Sequence, residues 1–281
     1  MKYLSFVWLS ILSTQVSAQI VTTIKPLTLI TQEVTRGIEQ PQQLLPVGAS
    51  AHHYALKPSQ RLLLQKAELV IWVGAAHENF LANTLKKQQQ VLSFESIPSV
   101  QKLAWRDLKT HQAQANTVDG HLWLAPHNAI ALAYKIAQVR GQQKPQYAAQ
   151  YQKNAQLFAQ KIELQSAKLK QQFARLPQRD YIAYHDAYQY LEAALGLHYQ
   201  GSISISPEQK PSTKHLLALR QQINKQGWQC LLTEPQFDKG LADKVFGTTG
   251  RYVMIDETFS QAQSYDQGFE QMAQAIYGCL K

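Results

Sequence analysis

Short β-branched or apolar runs alternate with helical stretches along the chain, a pattern that predicts parallel strands joined by helices. Candidate strands are Ile20 to Ile24, Gln43 to Leu45 and Leu69 to Val73. Between the last two, Pro58 to Ala67 places Leu62, Leu63 and Lys66 at helical spacing, and Pro58 suits a first helical turn. The alternation resumes later, with strands expected at Tyr181 to Tyr184, Tyr199 to Ile205, Cys230 to Thr233 and Tyr252 to Ile255, and a helix at Pro211 to Lys225. Between these blocks Tyr151, Ala155, Phe158, Ile162, Leu169 and Phe173 form a stripe that predicts one long helix from Pro145 to Leu176, stopped by Pro177. At 1.5 Å per residue it would run roughly 45 Å, enough to connect two lobes. The expected architecture is therefore two similar α/β lobes with parallel-rich sheets, residues 19–144 and 177–281, joined by a backbone helix over 145–176.

The first residues follow a different pattern. Met1 and Lys2 precede an apolar run from Tyr3 to Leu12 and then Val16-Ser17-Ala18, the charged, apolar and small-residue parts of a secretory signal. Cleavage after Ala18 is expected, giving a periplasmic chain that starts at Gln19. The apolar run is shorter than the roughly 20 residues a membrane span needs, and no cysteine lies nearby to carry a lipid.

The whole chain has 281 residues, 45% hydrophobic and 17% charged, which excludes a fibrous or wholly disordered protein. Its formal charge of +9 falls by one when Lys2 leaves with the signal. The basic residues are scattered through a Gln-rich background without aromatic interleaving or zinc-finger spacing, so nucleic acid is not an expected partner. Cys230 and Cys279 are the two cysteines. In an oxidising compartment such a pair is expected to close into a disulfide, with two free thiols as the alternative.

Dinucleotide, P-loop, nucleophile-elbow and zincin motifs are absent. Nine histidines remain. His52, His121 and His185 stand at predicted strand ends or in turns leading from them, and Asp256 follows Tyr252 to Ile255. In open α/β sheets the crevice beyond the carboxyl ends of the strands is where ligands bind. Singly, each residue reads as a hydrogen-bonded histidine or a turn cap; together they suggest a cation site in a cleft. His53 and His111 are the expected accessory ligands, while His77, His127, His198 and His215 read as solvated or packing residues on helices or turns.

The segments Leu45-Pro46-Val47-Gly48-Ala49-Ser50-Ala51-His52-His53-Tyr54, Ala67-Glu68-Leu69-Val70-Ile71-Trp72-Val73-Gly74, His121-Leu122-Trp123-Leu124, His185-Asp186-Ala187-Tyr188 and Glu234-Pro235-Gln236-Phe237 occur in one order across the mature chain. Together they resemble the periplasmic zinc-binding proteins of ABC importers, the ZnuA family of cluster A-I metal-binding proteins. The resemblance implies two lobes on one long helix, a metal between them, and zinc ligands at His52 and His121 from the first lobe and His185 from the second. It also implies a Cys230–Cys279 disulfide, a monomeric carrier, and a permease in the inner membrane as partner. Many relatives carry an acid where this chain has Ala51, and a His- and acid-rich loop where Lys109 to Gly120 holds only His111 and Asp119. Asp256 is then the expected fourth ligand, with water as the alternative.

Three imidazoles plus a carboxylate or water suit four-coordinate Zn²⁺, whereas Mn²⁺ prefers oxygen ligands, and manganese-binding relatives resemble this chain except for Glu at the place of His185. Cu²⁺, Ni²⁺ and Co²⁺ could also occupy a nitrogen-rich site in vitro. The competing reading is a zinc hydrolase with a metal-activated water and Asp186 or Glu234 as general base. A metal-dependent adhesin is a third.

Overall fold

The computed structural model describes residues 20–204, 210–235, 238–247 and 250–281. The expected signal, its cleavage point, Ile205, Gln236 and Phe237 lie outside the described residues. The first sheet holds β1 (Ile20–Thr22), β2 (Gln42–Gln43), β3 (Leu69–Trp72) and β4 (Val91–Ser93) in the order β2-β1-β3-β4, all parallel. The second holds β5 (Asp180–His185), β6 (His198–Ser204), β7 (Cys230–Thr233) and β8 (Arg251–Met254) in the order β6-β5-β7-β8, also parallel. Each sheet thus repeats the winding of the other. Helices make the crossovers: α1 (Lys25–Thr35), α2 (Pro58–Lys66) and α3 (Asn79–Leu85) in the first sheet. Between the sheets run α4 (Pro126–Gln143) and α5 (Ala148–Phe173); α6 (Gln189–Leu195), α7 (Thr213–Gln226) and α8 (Lys239–Phe246) serve the second sheet, and α9 (Tyr265–Leu280) closes the chain.

The central strands read as continuous apolar runs because helices cover both faces of a parallel sheet. Ile20, Val21, Val70, Ile71, Leu231 and Leu232 are all buried. The strand expected over Ile20 to Ile24 stops at Thr22, since Ile24 already caps α1 and Pro26 occupies its first turn. Pro58 starts α2 in the same way.

The expected long helix is divided. Pro145–Tyr147 forms a 3-10 turn and α5 proper has 26 residues, about 39 Å at 1.5 Å per residue. The predicted stripe is buried throughout. α5 packs against α1 and α4 and also against α6 and α9, so it touches both halves of the molecule. It does not run alone: α4 lies alongside, separated from the 3-10 turn by Lys144. Arg140 of α4 is completely buried, its guanidinium donating to both carboxylate oxygens of Glu39 at 2.8 and 2.6 Å, while the Tyr151 hydroxyl of α5 donates to Glu39 at 2.7 Å. The Cys230–Cys279 disulfide joins β7 to α9 across a sequence separation of 49 residues.

Candidate metal centre

In each sheet the strand order reverses beside its first strand, between β1 and β3 and between β5 and β7. Such a switch point leaves a crevice beyond the carboxyl ends of the two strands. His185 is the last residue of β5 and Glu234 follows β7; Thr23 follows β1, and residues 73–78 leave β3. The two crevices contribute to one cavity of about 400 Å³, lined by His52, His77, His121, His185, Glu234 and Asp256 among others.

The imidazoles of His121 and His185 are oriented by carboxylates. His121 Nδ1 lies 2.7 Å from Asp119 Oδ1, which also accepts the His121 backbone N–H at 3.0 Å, and Gln189 Nε2 donates to Asp119 Oδ2 at 2.6 Å. His185 Nδ1 contacts Glu234 Oε1. With its Nδ1 facing a carboxylate, each imidazole has its Nε2 left for other partners, and in the neutral ring that Nε2 offers a lone pair. These two Nε2 atoms, from opposite lobes, lie 3.4 Å apart. Tetrahedral Zn²⁺ at 2.0–2.1 Å from each nitrogen would separate them by about 3.3–3.4 Å. Burial holds His121 well below the usual histidine pKa, helped by the neighbouring His185 and His52. Burial also pulls His185 down, but the Glu234 carboxylate outweighs it, and the His185 pKa lies above its ordinary value.

His52 reaches the cavity from the segment between β2 and α2, its ring 5.4 Å from that of His121 and 6.1 Å from that of His185. His121 does not follow a strand, contrary to its sequence pattern. Among the described residues, 97–121 hold no strand beyond an isolated Arg106–Ala113 bridge, and His121 instead caps a 3-10 turn, Leu122–Leu124, ahead of α4. Asp256 lines the cavity, yet each of its carboxylate oxygens already accepts two hydrogen bonds, from the backbone and hydroxyl of Thr258 and of Ser260. The two accessory candidates point to other surroundings: His53 is exposed, and the His111 ring packs 5.0 Å from that of Tyr199.

The structure adds His77, which the sequence reading set aside. It is 4% exposed, and its ring centroid lies 4.4 Å from that of His52 and 5.0 Å from that of His121. One ring nitrogen from each of His52, His77 and His121 falls within 4.8 Å of the others. The signal was present: His77 follows the β3 run by a few residues, in the crevice position that singled out the other histidines. Neither acid proposed as a hydrolytic base is free. Asp186 accepts from Arg106 of the facing lobe, and Glu234 is held by His185.

A relative from Haemophilus ducreyi, the high-affinity zinc uptake system protein ZnuA, is 31% identical over 286 residues, covering 94% of this chain and 92% of that one. The family described as zinc-uptake complex component A, periplasmic (ZnuA), matches residues 20–279. The chain belongs to the ZnuA family. This family comprises the zinc-binding, non-enzymatic components of periplasmic uptake complexes that work with an ABC permease. The zinc uptake protein ZnuA of Brucella abortus is 28% identical, with 93% and 91% of the two chains covered. Among solved structures, a ZnuA crystal structure superposes with a TM-score of 0.80 at 22% identity, covering 93% of this chain and 98% of that one. A laminin-binding adhesin of Streptococcus agalactiae gives 0.81 at 21% identity, covering 94% and 100%. These two likenesses establish the ZnuA-type fold.

Proposed function

We propose that this chain captures Zn²⁺ in the periplasm with His52, His121 and His185 and hands it to the inner-membrane permease for uptake. One observation supports the reading above the rest: two Nε2 atoms, one from each lobe, face each other 3.4 Å apart with both Nδ1 atoms committed to carboxylates. Their spacing is an edge of a zinc tetrahedron, which Zn²⁺ would span once it displaces the His185 proton. Nitrogen donors favour Zn²⁺ over Mn²⁺, which takes oxygen ligands. The lobes are read as 19–144 and 177–281 on a connector over 145–176, and the mature monomer as starting after Ala18. Nucleic acid has no part in this reading, because the positive charge is spread without a binding stripe.

The test is a titration of metal-free mature protein with Zn²⁺ against a chromogenic chelator in excess Mn²⁺, with His185→Ala alongside. The expected result is one zinc per chain, undisturbed by manganese and lost in the variant. Binding indifferent to His185 overturns the assignment.

A further inference from the structure

We propose that His77 supplies the fourth protein ligand, so that the zinc centre consists of four imidazoles and no carboxylate. This rests on the zinc-carrier reading above and specifies its ligand set.

Four observations converge on His77. Its Nδ1 is buried and has no hydrogen-bond partner among the described residues, unlike the Nδ1 atoms of His121 and His185, each paired with a carboxylate. A buried ring nitrogen left bare is unusual in a folded protein and invites a ligand. Its donor atoms belong to the group with His52 and His121, all within 4.8 Å.

Its backbone is also fixed rather than loose. Glu95 accepts from the Ala75 and Ala76 backbone N–H groups at 3.0 and 3.2 Å, and the buried Glu78 carboxylate accepts from the Val73 N–H at 2.7 Å and the Thr23 hydroxyl at 2.9 Å. These bonds clamp the turn on both sides of His77 against the ends of β1, β3 and β4. Finally, residue 120 makes room for it: a Cβ on Gly120 would lie 2.5 Å from the His77 Cβ, so only glycine lets the His121 segment approach this closely.

The oxygen donors are correspondingly poor. Ala51, immediately before His52, offers none. Asp256 spends both oxygens on Thr258 and Ser260, and freeing one would strip that turn of its hydrogen bonds. A site of neutral nitrogens alone discriminates more sharply against oxygen-seeking cations than three imidazoles plus a carboxylate would.

X-ray absorption on the zinc-loaded full mature protein counts imidazoles directly, and the d–d spectrum of the Co²⁺-loaded protein reports a change of donor. Wild type is expected to show four imidazoles. His77→Ala and His77→Phe are expected to show three plus a lighter oxygen donor, a shifted cobalt spectrum, and an affinity lower by at least the ~10-fold that an orienting partner is worth. His77→Phe keeps the ring against Trp123, whose centroid is 4.9 Å away, and so preserves packing if the alanine variant folds poorly. Added imidazole is expected to restore the wild-type cobalt spectrum of His77→Ala, which a merely structural role would not allow. Three imidazoles plus oxygen in wild type, unchanged in both variants, overturns the inference and leaves the carrier reading standing. Wild type that binds no stoichiometric zinc overturns both.

Discussion

Replacing Glu234 by glutamine removes a charge from the metal centre while keeping an oxygen that can accept from His185 Nδ1. Both side chains are nearly dry, 4% exposed for Glu234 and 1% for His185. Zinc on His185 Nε2 would lie roughly 6–7 Å from the carboxylate across the ring, where a doubly charged ion and a carboxylate attract by about 5 kcal/mol at an effective dielectric of 20. That figure is a ceiling, because in the metal-free protein the same carboxylate stabilises a proton on His185 that zinc must displace. Partners that orient metal ligands are worth 10- to 100-fold in affinity, about 1.4–2.7 kcal/mol, and this is the expected loss at pH 7.5. The proton also sets the pH behaviour. Because the His185 pKa lies above its ordinary value, zinc affinity in wild type begins to fall at a pH above about 6.5, up to tenfold per unit for one displaced proton. In the variant that onset moves to lower pH. Melting of the metal-free protein should barely change, since a buried ion pair is exchanged for a neutral hydrogen bond. Competitive zinc titration between pH 5.5 and 8, with thermal melts of the metal-free forms, measures all three quantities. An affinity within threefold of wild type at pH 7.5, or an unmoved pH onset, refutes the reasoning.

Opening the disulfide should destabilise the C-terminal half: closing a loop of this length is worth about 4 kcal/mol at most in the chain-entropy account. Cys279→Ser, or wild type under reductant, should therefore melt up to roughly 8–16 °C lower, and equal melting temperatures with and without reductant would contradict this. Arg140→Met leaves the Glu39 carboxylate with only Lys144 and Tyr151 as partners and should cost about 1.5–3 kcal/mol in urea unfolding at pH 7. Burial raises the Glu39 pKa, but the Arg140, Tyr151 and Lys144 hydrogen bonds outweigh it and hold it below its ordinary value. The stabilisation is therefore complete above about pH 4.3 and is lost as pH falls through the lower folded value. The gap between wild type and Arg140→Met should narrow on going from pH 6 to pH 3; a constant gap would show that Glu39 is not the partner that matters.

Periodicity predicted strands overlapping β1 to β3 and β5 to β8 and helices overlapping α2, α5 and α7, because each type is set by neighbours two to four positions away; β4 and the other helices were not among the expected elements. Cys230–Thr233 and the buried face of α5 appear in the fold as their patterns predict. The disulfide partners followed from there being two cysteines in an exported chain. That His52, His121 and His185 line one cavity agrees with the order of their motifs, which also reflects short-range sequence. Helix α4 carries a local signal of its own, since Leu132, Ala133, Ile136 and Ala137 form a buried stripe at helical spacing.

What the tertiary structure decided depends on contacts between distant positions. Asp119 stands two positions from the His121 imidazole it holds but 70 from Gln189, which donates to it, and Glu234 lies 49 positions from His185; no local pattern shows these two distant contacts. Asp256 looks like a ligand in sequence because it follows a strand, and only the turn built by Thr258 and Ser260 reveals where its oxygens go. His77 looked like one more helical-turn histidine until the absent side chain of Gly120 let its ring approach those of His52 and His121. Residue types and their local spacing determine which elements form and which donors exist. Which donors meet at one point depends on how two sheets and a long helix pack, a sum over contacts far apart in the chain.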